Sequence, residues 1–256
     1  MTRLAGKAGV VTGSSRGLGL EIVRAALLAG AKVVATSRSG RTGLLNDPAA
    51  ASTENLLELT GDVRSESDVI AAITACQTTF GRLDFIVNNA GILGEGRLHE
   101  TTNAQWDDLV ATHLTGTFWG CKHALLAMRG NGGGGNIVNI GSILSFTGDG
   151  YLAAYTAMKA GILGLTKAIA IDYAADGIRC NCVCPGDMDT PMIQQYFDGT
   201  QDPQGARAEM VAAYPGKRIA QVHEVANAVL FLLADESSFV NGTSIVVDGG
   251  LLAKTY

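Results

Sequence analysis

The chain has 256 residues, a formal charge of −5 and 47% hydrophobic residues. This length and apolar content suit one large α/β domain or two small ones with a deep core. The negative balance excludes a general attraction to nucleic acid or anionic membranes, no apolar run approaches the ~18 residues that span a bilayer, and five cysteines without a Cys-x-x-Cys pair indicate neither a metal site nor a disulfide framework.

Residues 1–6 lead straight into an apolar run, which predicts no signal peptide and a cytoplasmic protein. That run, Ala8 to Thr12, is valine-rich and stops at Gly13. From Leu18 to Ala29 the apolar spacing turns helical, and Gly30 suits the helix end. Strand, glycine loop and helix together present backbone N–H groups and a helix N-terminus to a phosphate. The loop Thr12-Gly13-Ser14-Ser15-Arg16-Gly17-Leu18-Gly19 departs from the Gly-x-Gly-x-x-Gly spacing but meets the same demands for a tight turn and close backbone approach.

A second strand is expected over Lys32–Thr36. An NAD site would place an acid at its end, for the ribose 2′-hydroxyl. Here there is none between Glu21 and Asp47, and Ser37-Arg38 stands in its place with Arg16 in the loop. Guanidinium groups pair with phosphate through parallel hydrogen bonds, so this end suits the 2′-phosphate of NADP(H) better than NAD(H).

Gly40–Ser52 reads as a polar connection. A third strand is expected over Leu56–Leu59, ending at Gly61-Asp62-Val63, and an amphipathic helix over Ser67–Phe80. Leu83–Val87 has the continuous apolar character of a buried parallel strand and ends in Asn88-Asn89-Ala90-Gly91, small and polar where open α/β sheets bind ligands. One long helix is expected over Gln105–Met128, then a glycine-rich loop and a fifth strand, Asn136–Ile140, closing on Gly141-Ser142.

The following helix, over residues 152–175, carries Tyr155-x-x-x-Lys159, two polar groups one turn apart on one face. A nearby ammonium lowers the pKa of a tyrosine, ordinarily ~10, and makes it a usable acid or base. A sixth strand is expected over Arg179–Val183, with Cys180, Cys182 and Cys184 alternating onto one face as buried small hydrophobes, and ends in Pro185-Gly186. Residues 187–217 are long for a connection and read as a substrate lid. A helix over Val222–Leu233 and a strand over Thr243–Val247 complete the chain. Seven alternations of strand and helix predict a single-domain, doubly wound parallel sheet of the Rossmann type, with helices on both faces and one domain over residues 1–256.

Thr12-Gly13-x-x-x-Gly17-x-Gly19, Asp62, Asn88-Asn89-Ala90-Gly91, Ser142, Tyr155-x-x-x-Lys159 and Pro185-Gly186, in this order along the whole chain, resemble the short-chain dehydrogenases/reductases, of the kind that includes bacterial 3-oxoacyl-carrier-protein reductases. The resemblance implies an oxidoreductase moving a hydride between NADP(H) and an alcohol/ketone pair. Tyr155 would exchange a proton with the substrate oxygen, Ser142 would hydrogen-bond that oxygen, and Lys159 would hold the nicotinamide ribose and tune Tyr155. Cofactor contacts would fall to Gly13, Ser15, Arg16, Gly17, Leu18 and Gly19, to Ser37 and Arg38, and to Asp62 (at adenine) with Val63. Further contacts would come from Asn89 (along the ribose), Ala90, Gly91, Pro185, Gly186 and Thr190. The resemblance also implies a homo-oligomer, expected as a tetramer through the helices over 105–128 and 152–175, with a small molecule as its other partner.

One position departs from the pattern: His113 in His113-Leu114-Thr115-Gly116 replaces an asparagine that in the family supports a proton-relaying water. Histidine, with a near-neutral pKa, can hold a water and join the relay, or can merely pack. The departure leaves open an alternative function, a non-catalytic dinucleotide sensor or scaffold. A substrate pocket lined by Leu93, Leu144, Tyr151, Met188, Met192, Tyr196 and Phe197 is expected to take an apolar or alicyclic molecule.

Overall fold

The computed structural model describes residues 2–44 and 53–254. The connection expected over Gly40–Ser52 lies, from residue 45 on, outside the described residues. Among those described, seven strands form one parallel sheet in the order β3-β2-β1-β4-β5-β6-β7. The strands are β1 (Ala8–Thr12), β2 (Lys32–Ser37), β3 (Leu56–Thr60), β4 (Phe85–Asn88), β5 (Gly135–Ile140), β6 (Ile178–Pro185) and β7 (Ser244–Val247). Each lies within about two residues of its expected place, because the apolar runs that mark a doubly covered sheet are short and bounded by glycine or polar residues.

Strand side chains alternate between two helical layers. Val11, Val33, Ala35, Phe85 and Val87 pack towards α1 (Gly17–Leu28) and α8 (Val222–Leu233). Val10, Val34, Ile86 and Ile137 pack towards α2 (Glu66–Phe80), α4 (Gly116–Gly130) and α5 (Ala153–Asp172). Burying each large aliphatic side chain contributes about 1.5–3 kcal/mol relative to exposure, so these two layers hold the sheet flat against its helices. The architecture is the Rossmann-type doubly wound sheet. Strand β1 pairs with β2 on one side and β4 on the other, and the chain reverses its winding between them. The crevice beyond the carboxyl ends of β1 and β4 is where such sheets receive ligands.

Two expectations need correction. The helix expected over Gln105–Met128 is three pieces: α3 (Asn103–Leu109), a π-helical turn over Val110–Thr115, and α4. Thr102 and Gln105 form a reciprocal capping box that starts α3. At the far side Gly116 meets Val63 so closely that a Cβ would stand 3.0 Å from the valine side chain. The wide turn between these two fixed points carries His113 into the interior. The segment over residues 187–217, read as a long connection with no helix assigned to it, folds into α6 (Pro191–Asp198) and α7 (Pro203–Ala213). Both start on a capping side chain followed by proline, Thr190 accepting from the Ile193 N–H and Asp202 from the Gly205 N–H.

The five cysteines are free thiols and buried. Cys180, Cys182 and Cys184 share one face of β6 as expected, with Cys182 Sγ and Cys184 Sγ 3.6 Å apart against α5.

Candidate active site

A cleft of about 650 Å³ runs across the carboxyl ends of the strands, from Arg38 past the glycine loop to Met188 and Met192. Its first wall follows β1. Gly13 takes φ +65°, and a Cβ there would stand 2.7 Å from Ala90 Cα, while a Cβ on Gly19 would stand 2.3 Å from the Gly13 carbonyl oxygen. Only glycine fits at both. The turn is braced from β4: the Asn89 side-chain amide donates to the carbonyls of Thr12 (2.9 Å) and Gly13 (3.1 Å). The backbone N–H groups of Asn89 and Ala90 donate to Thr12 Oγ1 at 3.0 and 3.1 Å. Asn89, expected along the cofactor ribose, therefore commits its amide to holding the phosphate loop. Thr12 is part of the site as the hinge between the two turns, a role that reading it as a strand end passed over.

The residues present fit a dinucleotide. Helix α1 begins at the loop with no side-chain cap and no acid in its first turn, which leaves its N–H groups free to face an anion. Gly13, Ser15, Arg16, Gly17, Leu18 and Gly19 all border the cleft. Beyond β2 the wall is Ser37, Arg38, Ser39 and Arg41, and among the described residues neither Arg16 nor Arg38 forms an ion pair with an acid. Asp62 and Val63 border the same end. Arg64, not anticipated from sequence, grips the Asp62 carboxylate through Nε and Nη2 (2.7–3.1 Å) and reaches Asp108 at 2.5 Å. This grip holds the Asp62 carboxyl below the usual carboxylate range.

At the other end β5 delivers Ser142 and α5 delivers Tyr155 and Lys159. Ser142 sits in a tight turn: its Oγ accepts from the Leu144 N–H (3.1 Å) and its N–H donates to Ser145 Oγ (3.2 Å). Ser145 in turn donates to the Lys159 carbonyl at 2.9 Å, tying the serine turn to α5. Lys159 Nζ donates to the Ile140 carbonyl at 2.8 Å and lies 5.4 Å from the centre of the Tyr155 ring. Lys159 is 4% exposed. Burial lowers its pKa to about 8, with the Cys182 and Cys184 thiols pulling the other way. Burial also pushes the half-buried Tyr155 hydroxyl above its ordinary value; the Ser142 hydroxyl offsets part of the rise and the Asp187 carboxylate adds to it. The net shift runs opposite to the lowering expected from Lys159, because taking a phenolate out of water is costly. Tyr155 is thus a protonated donor at neutral pH.

His113 comes in under this group from the π-turn, 1% exposed, its ring edge-on to Tyr155 at 5.2 Å between centroids. Its Nε2 lies 2.7 Å from the Ile92 carbonyl oxygen and 3.2 Å from the Ile92 N–H, and the shorter contact favours the proton on Nε2. Nδ1 is then a bare, buried acceptor without a partner. Gly91 makes room for the ring, since a Cβ there would stand 2.7 Å from His113 Cε1. Burial, with the Lys159 charge beside it, depresses the His113 pKa to about 3. Burial therefore favours the neutral imidazole at neutral pH, packed edge-on against Tyr155.

Ala90, Gly91, Pro185, Gly186 and Thr190 border the cleft, and Thr190 lies against Gly17, so the start of the 187–217 segment touches the phosphate loop. The expected apolar pocket assembles only in part. Met188 and Met192 border the cleft, joined by Ile92, Thr112 and Ile140. Leu144 is buried behind the serine turn, and Phe197 is buried between Tyr196 and Arg207. Leu93 and Tyr151 are exposed and do not line the cleft, and the Tyr151 ring lies under Arg97. The helical winding of α6 turns its aromatics away from the cleft. Among the described residues no helix is long and apolar enough to cross a membrane and no cluster of metal-ligating side chains occurs.

Comparison with known proteins agrees with this geometry. Residues 12–252 match the protein-family model described as enoyl-(acyl carrier protein) reductase. The chain is 41% identical over 251 residues to 2-(R)-hydroxypropyl-CoM dehydrogenase of Xanthobacter autotrophicus, covering 95% of this chain and 98% of that one. It is 36% identical over 248 residues to the 3-oxoacyl-[acyl-carrier-protein] reductase of Escherichia coli, covering 96% and 97%. The crystal structure of a levodione reductase superposes with a TM-score of 0.92 at 35% identity, covering 99% of this chain and all of that one. With the glycine loop, the serine turn and the Tyr155–Lys159 helix side by side, and relatives matched nearly end to end, the chain belongs to the short-chain dehydrogenase/reductase family, oxidoreductases that use nicotinamide dinucleotides.

Proposed function

We propose that this enzyme interconverts an alcohol and its ketone or aldehyde with NADP(H), with Tyr155 as the acid and base. The observation that carries the reading is the convergence of Ser142, Tyr155 and Lys159 at one end of a cleft whose other end holds Arg16 and Arg38. The names of the relatives share this class of reaction, as dehydrogenases of alcohols or reductases of carbonyls. No observation favours a non-catalytic sensor.

When bound, the dinucleotide supplies the hydride that reaches the carbonyl carbon in reduction. Tyr155 gives its proton to the carbonyl oxygen, which becomes the alcohol. Ser142 donates to the same oxygen and stabilises charge as it develops there. Lys159, held by the Ile140 carbonyl, stabilises the phenolate left on Tyr155 and binds the ribose. Oxidation runs the same steps in reverse, with Tyr155 starting as the base. His113 packs its neutral imidazole edge-on against the Tyr155 ring and supports it without changing charge. Asp62 and Val63 would hold the adenine, Arg16 and Arg38 the 2′-phosphate, and residues 187–217 would act as a lid over the substrate within a single domain.

Five buried, unpaired thiols suit a reducing cytoplasm. Trp106 on α3 and Phe118 on α4 are exposed apolar groups that suit contacts between copies in a homo-oligomer, expected as a tetramer. A monomer in sedimentation at micromolar concentration would contradict that assembly. The direct test of function is consumption of NADPH across a panel of ketones, aldehydes and diketones. We expect turnover with at least one class and a marked preference over NADH; no turnover with either cofactor across the panel would overturn the reading.

A further inference from the structure

Asn139 stands on β5 one residue before Ile140, whose carbonyl receives Lys159, and it is fully buried. On the α5 side its Nδ2 donates to Thr166 Oγ1 at 3.0 Å. Thr166, also fully buried, donates in turn to the Ile162 carbonyl of its own helix at 2.8 Å. On the β4 side Asn139 Oδ1 accepts from Asn88 Nδ2 at 2.8 Å, across a residue pair that the two strands hold in register. Thiols take further amide hydrogens: Asn88 Nδ2 donates to Cys121 Sγ at 3.4 Å and Asn139 Nδ2 to Cys180 Sγ at 3.7 Å. Gly120 on α4 leaves room for this group, since a Cβ there would stand 2.0 Å from Asn88 Oδ1. No side-chain atom of Asn88, Asn139 or Thr166 is buried without a partner.

The layer around this network is otherwise apolar, with Val10, Ile86, Ile137, Met128 and Ile169. Apolar contact is non-directional, so it presses α5 onto the sheet without fixing how far along β5 the helix lies. A buried amide is different, because it loses its partner when the helix slides and an unmade bond there is costly. Three polar ties join β5 and its following turn to α5: Ser145 Oγ to the Lys159 carbonyl, Lys159 Nζ to the Ile140 carbonyl, and Asn139 to Thr166. The first two meet at Lys159. The third lies two turns further along the helix and uses no group that takes part in the chemistry.

We propose that Asn139 and Thr166 are positioning residues: their bond sets the height and rotation of α5 on β5 and so holds Tyr155 and Lys159 opposite Ser142. The inference rests on the proposed alcohol–ketone chemistry. Displacing reacting groups by about 1 Å costs on the order of 10²-fold in rate. Most of the residues that fit the dinucleotide, from Gly13 to Gly19 and at Ser37 and Arg38, belong to other elements and would stay in place.

The test uses Thr166→Val, which keeps the shape and removes the acceptor, and Thr166→Ser, which restores a hydroxyl. Ile169→Val serves as the control: it trims the same apolar layer on α5 and leaves the polar network intact. Thermal unfolding, NADPH affinity by fluorescence titration, and kcat and KM with the best carbonyl substrate of the panel are measured for each, well below the unfolding temperature. Thr166→Val is expected to lower kcat by about tenfold or more, with KM and NADPH affinity within about threefold of the parent. Thr166→Ser should bring kcat back to within about threefold, and Ile169→Val should unfold at a lower temperature with the parent kcat. If Thr166→Val does not fold, Thr166→Cys takes its place as a weaker acceptor, with kcat expected several-fold below the parent. A parent-like kcat in the variant that lacks the hydroxyl overturns this inference alone. So does a loss confined to KM or NADPH affinity, a loss that Thr166→Ser does not recover, or an equal loss in Ile169→Val. A parent enzyme without turnover across the whole panel overturns the proposed reaction, and this inference with it.

Discussion

The two ends of the cleft are built in different ways. At the phosphate end the walls are tied together by short bonds: Asn89 to the glycine loop, Thr12 to the Asn89–Ala90 turn, and the Arg64 side chain to the Asp62 carboxylate. At the substrate end the wall comes from Met188, Thr190 and the first turn of α6, with long apolar methionine side chains. The first end meets a ligand part with fixed geometry, and close backbone approach leaves glycine no substitute there. The second end meets whatever the substrate presents, and side chains can change there without disturbing the sheet. Lys159 and Tyr155 stand at the boundary, and substitutions there should affect both ends at once.

The largest effect is expected at that boundary. Lys159→Ala should reduce kcat/KM by more than ~10²-fold and also weaken dinucleotide binding, because it removes both the phenolate's counter-charge and the ribose contact. Fluorescence titration alongside kinetics separates the two losses. A fall in turnover with unchanged affinity would confine Lys159 to the chemical end.

The next effect belongs to the phosphate end alone. A charge-assisted hydrogen bond to one arginine contributes about 1.5–3 kcal/mol, so Arg16 and Arg38 together should favour NADPH over NADH by a hundredfold or more. Ser37→Asp with Arg38→Leu should move preference towards NADH, by removing attraction and adding a like charge. Titration of the parent with both cofactors at moderate salt checks this. Equal affinities would show that the arginines face solvent and that the two ends are less distinct than described.

The smallest effect on rate is expected at His113. Asparagine there should keep activity within about tenfold, or ~1.4 kcal/mol of barrier, since either residue offers an acceptor. The pH profile of the parent should show no inflection from this imidazole. Its effect should appear in stability instead. The folded-state pKa is about 3, against ~6.5 when unfolded, so between these values the unfolded chain binds more protons and stability falls as pH falls. His113→Asn should therefore lose less stability than the parent between pH 6.5 and 3, measured by denaturant titration at each pH. Parallel curves would show that the imidazole is not the buried base described.

Much of the first end could be read from sequence. Glycines after a valine-rich strand, Asn88-Asn89-Ala90-Gly91 after another, and the missing acid at Ser37-Arg38 all follow from what a pyrophosphate and a ribose require of nearby backbone. The roles of Ser142, Tyr155 and Lys159 came from resemblance, but their proximity follows from strand and helix order. The π-turn did not show itself, because apolar spacing over 105–128 fits an unbroken helix, and the close approach of Gly116 to Val63 that bounds the turn is visible only in space. Helices α6 and α7 had a visible signal, Thr190-Pro191 and Asp202-Pro203, that the polar composition of the segment obscured. The tie between Asn139 and Thr166 had none. An asparagine inside an apolar strand has no periodicity, and its partner is 27 residues away.

The central claim is that Tyr155 moves the proton while the rest of the cleft positions the reactants. It is tested most directly by Tyr155→Phe, with NADPH affinity and turnover measured on the same preparation against the best carbonyl substrate of the panel. The account predicts affinity close to that of the parent, because ring, Lys159 and phosphate end are retained, with turnover lower by at least ~10²-fold, the scale of a lost general acid. A variant that turns over at the parent rate would contradict it.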